Sequence, residues 1–191
     1  EEKTMKTLVL LFSLLFTLIA NTDDKVLNIY NFSGYMPDAV LKQFTRETGI
    51  KVNYSTYDSN ETMYAKLKAN ANIGYDVVVP SSYFIDRMRK QNMLHEIDKS
   101  KLSNFNNLNP ALLNKAYDPH NNYSVPYFWS STGIVVNTKY FPLNSIHSWH
   151  DLWRPEYRDQ LLLLDDTREV FSVALIVLGY SPNDTDPEHI K

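Results

Sequence analysis

Between Val26 and Arg89 the sequence alternates short apolar runs with amphipathic stretches, and this alternation limits the fold more than any other feature. Val26 to Tyr30 is a short, mostly apolar run that suits a buried strand. Pro37-Asp38 then opens a stretch with Ala39, Val40, Leu41 and Phe44 at helical spacing, and Gly49 closes it. Proline at the start and glycine past the end is the usual asymmetry of a helix. Ile50 to Tyr54 reads as a second strand. In Asp58-Ser59-Asn60-Glu61 a capping residue is followed three later by Glu, and Met63, Tyr64 and Leu67 then share one face. Asp76 to Val79 is a third strand stopped by Pro80, and Ser82 to Arg89 can form a third helix. The order β-α-β-α-β-α implies an α/β fold with a mostly parallel, doubly wound sheet and right-handed crossovers.

The pattern is looser further on. Asn104 to Asn109 reads as loop, Pro110 to Lys115 as a short helix and Asp118 to Asn122 as a turn. Tyr127 to Asn137 is strand-like, with a soft boundary near Ser130 to Gly133, after which strand and helix signals restart. Ser148 to Trp153 is a short helix, Leu161 to Leu164 a buried strand, and Arg168 to Leu178 a helix closed by Gly179.

The first residues serve another purpose. Met5 and Lys6 precede an apolar run from Leu8 to Ala20, followed by polar Asn21-Thr22-Asp23-Asp24. The run is shorter than the roughly 20 residues that cross a bilayer, and it matches the apolar core of a secretory signal peptide over residues 5–20. Met5 reads as the natural start, and no cysteine follows to carry a lipid. The chain is therefore expected to be exported.

Composition removes several classes of function. Net charge is −3, which argues against a nucleic-acid binder, since that needs a basic face. The absence of cysteine excludes disulfides, thiolate-held zinc and a thiol nucleophile. Five glycines and no Walker or dinucleotide pattern make a phosphate-cradling loop improbable, and no GxSxG is present. His147 and His150 stand three apart, but no HExxH pattern or third ligand accompanies them, so no metal or cofactor is expected. The unusual number is 13 tyrosines, beside 9 phenylalanines and 3 tryptophans. Rings with one polar end suit the wall of a binding cleft.

In an open parallel sheet, ligands bind outside the carboxyl ends of the strands. Asn31-Phe32-Ser33-Gly34-Tyr35 follows the first strand and Pro80-Ser81-Ser82-Tyr83 the third. Asp165-Asp166-Thr167-Arg168-Glu169 follows the Leu161–Leu164 run, and Trp129 adds a further ring. Aromatic walls with acidic ends suit an organic cation: a ring contributes about 0.5–2 kcal/mol to a desolvated cation, and a charged hydrogen bond about 1.5–3 kcal/mol. Simpler readings stand beside this one. Asp166 to Glu169 is also a capping box, Ser81 and Ser82 could cap the third helix, and Phe32 and Tyr35 could be packing residues. Asp165, Asp166 and Glu169 could in principle form a hydrolytic carboxylate pair, though nothing else suggests sugar hydrolysis.

Several stretches carry a family resemblance. Leu27-Asn28-Ile29-Tyr30-Asn31-Phe32-Ser33-Gly34-Tyr35, Gln43 to Val52, Tyr57 to Leu67, Tyr75 to Ser81 and Leu161 to Glu169 resemble the periplasmic spermidine/putrescine-binding proteins. The similarity runs from about Leu27 to Lys191 without a break. It implies a soluble, non-enzymatic, monomeric receptor that delivers polyamines to the membrane permease subunits of an ABC importer. Such receptors have two α/β lobes joined by crossover strands and close on ligand like a hinge. On that pattern residues 26–130 form the first lobe, and 131–191 form the crossover and the beginning of the second. The resemblance places Phe32 and Tyr35, Ser81 and Tyr83, and the acidic pair Asp166 and Glu169 at the ligand. A secreted hydrolase using Asp166 and Glu169, or a lobe for a different solute, is the alternative.

Two departures from the family pattern bear on the choice between spermidine and putrescine. Phe32 stands where the family usually has Trp, a stronger cation–π partner, and Gly34 stands where it usually has an acid. Family members are also much longer and return to both lobes, bringing further ligand contacts. The second lobe is therefore expected to be incomplete over these 191 residues, and polyamine affinity of the chain by itself to be poor.

Overall fold

The computed structural model describes residues 25–70 and 74–191; the expected signal peptide over 5–20 lies outside them. Strand β1 spans Val26–Phe32, β2 Lys51–Tyr57 and β3 Val77–Val78. They form one sheet in the order β2-β1-β3, with β1 and β3 parallel and Ile29 opposite Val77, Tyr30 opposite Val78. β2 and β3, consecutive in the chain, lie on either side of β1, so the connection between them crosses the central strand. Asn28 fastens the sheet: its N–H and side-chain amide donate to the Asp76 carboxylate at 2.7 and 3.1 Å, and its side-chain oxygen accepts from Asn53 at 2.9 Å. The Tyr30 and Tyr75 rings stack with centroids 4.5 Å apart.

Helix α1 spans Asp38–Thr48, with Pro37 just before it and Asp38 in its first turn. Gly49 ends it at φ 72°, donating its N–H to the Thr45 carbonyl at 2.9 Å, as the proline–glycine punctuation predicts. Helix α2 spans Asn60–Ala69. Its cap is Ser59 rather than Asp58, with Ser59 Oγ accepting from Thr62 N at 3.2 Å. Helix α3 spans Ser82–Lys90 and α4 Thr167–Val177.

The residues fall into two compact units. Among the described residues one unit holds 25–56 together with β3, and the other holds 57–70 and resumes from Val79 onward. In the second, Met63 of α2 and Phe84, Ile85 and Met88 of α3 are buried, and the Tyr64 and Phe84 rings meet at 5.5 Å. Tyr57, also buried, donates its hydroxyl to the Val79 carbonyl. Further along, buried Asp118 organises a turn by accepting from the N–H groups of Asn122 and Tyr123 and from Ser124 Oγ at 3.1, 2.9 and 2.8 Å. Helix α4 packs against the 3₁₀ turn Trp149–Trp153, where a Ser148/Asp151 capping box holds the start. Among the described residues no helix is long and apolar enough to cross a membrane.

Two expected strands are absent. Tyr127 to Asn137 has no regular secondary structure until a turn begins at Asn137, and Tyr127, Phe128, Trp129 and Val135 are exposed. Leu161 to Leu164 is likewise irregular, with Leu162 99% exposed. An apolar run reports a segment that gains by burial, but a strand exists only where a neighbour supplies its hydrogen bonds. Neither run pairs with a strand among the described residues. The short helices expected at Pro110–Lys115 and Ser148–Trp153 are 3₁₀ turns, over Pro110–Leu112 and Trp149–Trp153.

Candidate functional site

The sequence-derived candidates fall into two groups, each inside one unit. In the first unit, Phe32 ends β1 and Tyr35 follows three residues later. Tyr35 N–H donates to the Phe32 carbonyl at 3.3 Å, which folds the segment back and stacks the two rings at 5.2 Å with 30° between their planes. Gly34 makes that turn possible at φ 77°, a backbone region that L side chains rarely adopt. Tyr35 is 41% exposed and Phe32 half-buried, so the pair is an open aromatic surface rather than core.

In the second unit, Ser81, Tyr83 and Asp166 come together although they are separated by up to 85 positions, as their numbers show. Tyr83 lies in the first turn of α3, and its hydroxyl donates to Asp166 Oδ2 at 2.9 Å and Oδ1 at 3.1 Å. Burial raises the Tyr83 phenol well above its ordinary value of 10.0, and the hydrogen bond to the Asp166 carboxylate adds to the rise. The phenol therefore keeps its proton across the physiological range and donates it in a hydrogen bond to the carboxylate.

Asp166 has two roles at once. As the N-cap of α4 its Oδ1 accepts from Glu169 N at 3.1 Å, so capping α4 and accepting from Tyr83 fall to one side chain. Glu169, one turn on, accepts from Thr132 Oγ1 at 2.6 Å. Two carboxylates thus stand at the start of one helix, where the backbone N–H groups favour negative charge. Ser81 precedes α3 as its N-cap but makes no side-chain capping bond. Its hydroxyl instead accepts from Asn60 Nδ2 at 3.0 Å, which sets aside the simple capping reading of Ser81.

Three contributors escape a reading of the sequence. Asn60 is fully buried and bonds Ser81, Tyr83 and, at 3.4 Å, Asp166. Thr132 holds Glu169. The Arg168 guanidinium lies 5.2 Å from the Tyr83 ring centroid and donates to Asn183 Oδ1 at 2.6 Å, so one face of that ring already carries a cation. Asn60 sits inside a capping stretch that local rules explain without it, and Thr132 in a stretch that reads as strand. Trp129, the other ring noted in the sequence, is 72% exposed. No group of three His, Cys, Asp or Glu side chains suited to a metal occurs among the described residues.

The second cluster gathers the Ser81 hydroxyl and the Asp166 carboxylate around Tyr83, whose oxygen accepts from Asn60 and donates to Asp166. Such a set favours a donor-only cation.

Comparison with known proteins agrees with the fold. The spermidine/putrescine-binding periplasmic protein of Salmonella typhimurium is 58% identical over 170 residues, covering 89% of this chain and 49% of that protein. Its namesake in Escherichia coli is 57% identical over 169 residues, covering 88% of this chain and 49% of that protein. Among solved structures, the spermidine/putrescine substrate-binding protein PotD of Streptococcus pneumoniae matches with a TM-score of 0.70 and 42% identity over 87% of this chain and 51% of that one. The TpPotD lipoprotein of Treponema pallidum matches with a TM-score of 0.77 and 36% identity over 87% of this chain and 52% of that one. The chain spans about half the length of the curated relatives it matches. The two curated relatives are binding proteins by name, and the hydrolase alternative gains nothing from them. A family profile described as bacterial extracellular solute-binding protein matches residues 39–191. With an α/β parallel sheet, matching solved folds and a profile match over most of its length, the chain belongs to the bacterial extracellular solute-binding protein family.

Proposed function

We propose that the protein captures polyamines, spermidine or putrescine, outside the cytoplasm and delivers them to the permease subunits of an ABC importer. The observation that carries this reading is the cluster of Ser81, Tyr83 and Asp166. Two hydroxyls and a carboxylate converge, with neutral Tyr83 donating its only proton to the acid. In this reading Asp166 and Glu169 neutralise ammonium groups, Ser81 accepts from an ammonium N–H, and Phe32 and Tyr35 cover methylene groups. Each charged hydrogen bond contributes about 1.5–3 kcal/mol. The exposed stacked rings of Phe32 and Tyr35 fit an amphipathic chain of charged ends and apolar middle. The protein acts by binding alone, as a monomer, without cofactor or nucleic acid. Residues 5–20 direct export to the periplasm, 26–130 form the first lobe, and 131–191 form the crossover and beginning of the second.

The test is a titration of the 191-residue chain with spermidine and with putrescine, followed by NMR of ¹³C-labelled tyrosine. Saturable shifts of the Tyr83 signal are expected, with a Kd near roughly 1 mM, which corresponds to about −4 kcal/mol. They should be lost in the Asp166→Asn, Glu169→Gln double variant. Absence of saturation with both polyamines refutes the reading, as does an unchanged curve in the double variant.

A further inference from the structure

The cluster contains a side chain with no place in the polyamine reading. Asn60 is the first residue of α2 and is 0% exposed. Its Oδ1 accepts from the backbone N–H of Ser81 at 3.0 Å. A backbone N–H can only donate, so the atom facing it must be the amide oxygen, and the orientation of the carboxamide is settled. The opposite end, Nδ2, then donates to Ser81 Oγ at 3.0 Å and to Tyr83 Oη at 2.9 Å. Both N–H groups are thereby used, with Asp166 Oδ2 at a long 3.4 Å from the same nitrogen.

This has a directional consequence. A hydroxyl that accepts from Asn60 must point its own proton elsewhere. For Tyr83 the available acceptor is Asp166, at 2.9 and 3.1 Å. For Ser81, one lone pair remains free of Asn60.

We propose that Asn60 is a positioning residue for the polyamine site: anchored on the Ser81 amide, it orients the hydroxyls of Ser81 and Tyr83 and directs the Tyr83 proton onto Asp166. The proposal rests on the polyamine reading for its ligand but not for its geometry. Burial supports it, because a fully buried carboxamide whose two N–H groups and oxygen are all hydrogen-bonded has little freedom to turn. The competing possibility is that Asn60 only joins the starts of α2 and α3.

The experiment uses the full 191-residue chain with ¹³C-labelled tyrosine. Tyr83→Phe identifies the Tyr83 Cζ signal by its loss. Asn60→Ala removes the carboxamide, and Asn60→Asp keeps its shape and the bond from Ser81 N while removing both donors. The Tyr83 signal is expected to shift in both variants while the other tyrosine signals stay in place. An unmoved Tyr83 signal overturns the proposal; so does a collective shift of all tyrosines in both variants, which marks a structural role. Spermidine titration then closes the cycle. Asn60→Ala should weaken binding about three- to tenfold, the range of one hydrogen bond. In a background carrying both Tyr83→Phe and Ser81→Ala the same substitution should weaken it by less than about twofold, because both hydroxyls acted upon are gone. An equal loss in both backgrounds overturns the proposal. If the unaltered chain fails to bind spermidine, the polyamine reading falls, and the tyrosine signals still decide whether Asn60 sets the Tyr83 hydroxyl.

Discussion

Asp166 caps α4 and also accepts the Tyr83 proton, and two substitutions at this one position separate the roles. Asp166→Ala removes both. Losing the bond from Glu169 N at 3.1 Å costs about 1 kcal/mol, the usual value of an N-cap. Losing the Tyr83 bond to a charged acceptor costs about 1.5–3 kcal/mol. The half-buried position makes the lower end appropriate, so the total is about 2.5–3 kcal/mol. Asp166→Asn behaves differently. Its amide oxygen can take the Oδ1 place, which faces both Glu169 N and Tyr83 Oη at 3.1 Å, so the cap and one tyrosine bond survive. Only the charge and the Oδ2 contacts go, at a cost of about 1 kcal/mol. Polyamine binding should nevertheless fall equally in the two variants, by about tenfold or more, because both lack the carboxylate. Urea unfolding followed by circular dichroism measures the stabilities, and polyamine titration measures the binding. Equal stability loss in the two variants would refute the capping geometry. Retained binding in Asp166→Asn would refute the role of the charge.

Further predictions follow from the same physics. Tyr83 has a raised pKa when folded, so its contribution to stability is complete below its unfolded value of 10.0 and is lost as pH rises beyond that. Alkaline titration by tyrosinate absorbance should show Tyr83 ionising after the exposed tyrosines, and Tyr83→Phe should flatten the fall in stability above pH 10. Asp151 is the opposite case: N–H groups of His147 and Ser148, at 2.7 and 2.8 Å, hold its carboxyl below the ordinary range. Its stabilisation is present above that range and lost as pH falls through its folded value, so acid unfolding of Asp151→Asn should show a shallower pH dependence. Gly49→Ala should cost about 1 kcal/mol in thermal unfolding, since φ is 72° there. Nothing within 4 Å would meet the added methyl, so the cost lies in the backbone alone, and a loss beyond about 2 kcal/mol would contradict that.

The elements from Val26 to Lys90 could be read from sequence because their signals are local. Pro37 and Gly49 bracket α1, a capping stretch announces α2 although its cap is Ser59, one residue after Asp58, and the apolar runs of β1 and β3 lie where they pair. Asp166 could be read as a cap for the same reason, since the donor it serves is three residues away. The α/β class and the candidate residues therefore needed only short-range rules and a family resemblance. The remainder depended on partners distant in sequence. Leu161 to Leu164 has the composition of a strand, but no strand among the described residues pairs with it, and Leu162 is exposed. Asn60 reaches Ser81 across 21 positions and Asp166 across 106, and no periodicity encodes such a meeting. Capping and periodicity act within a turn or two, so the sequence carries them openly. Which buried amide orients which hydroxyl depends on how distant segments pack, and that is decided only when they fold together.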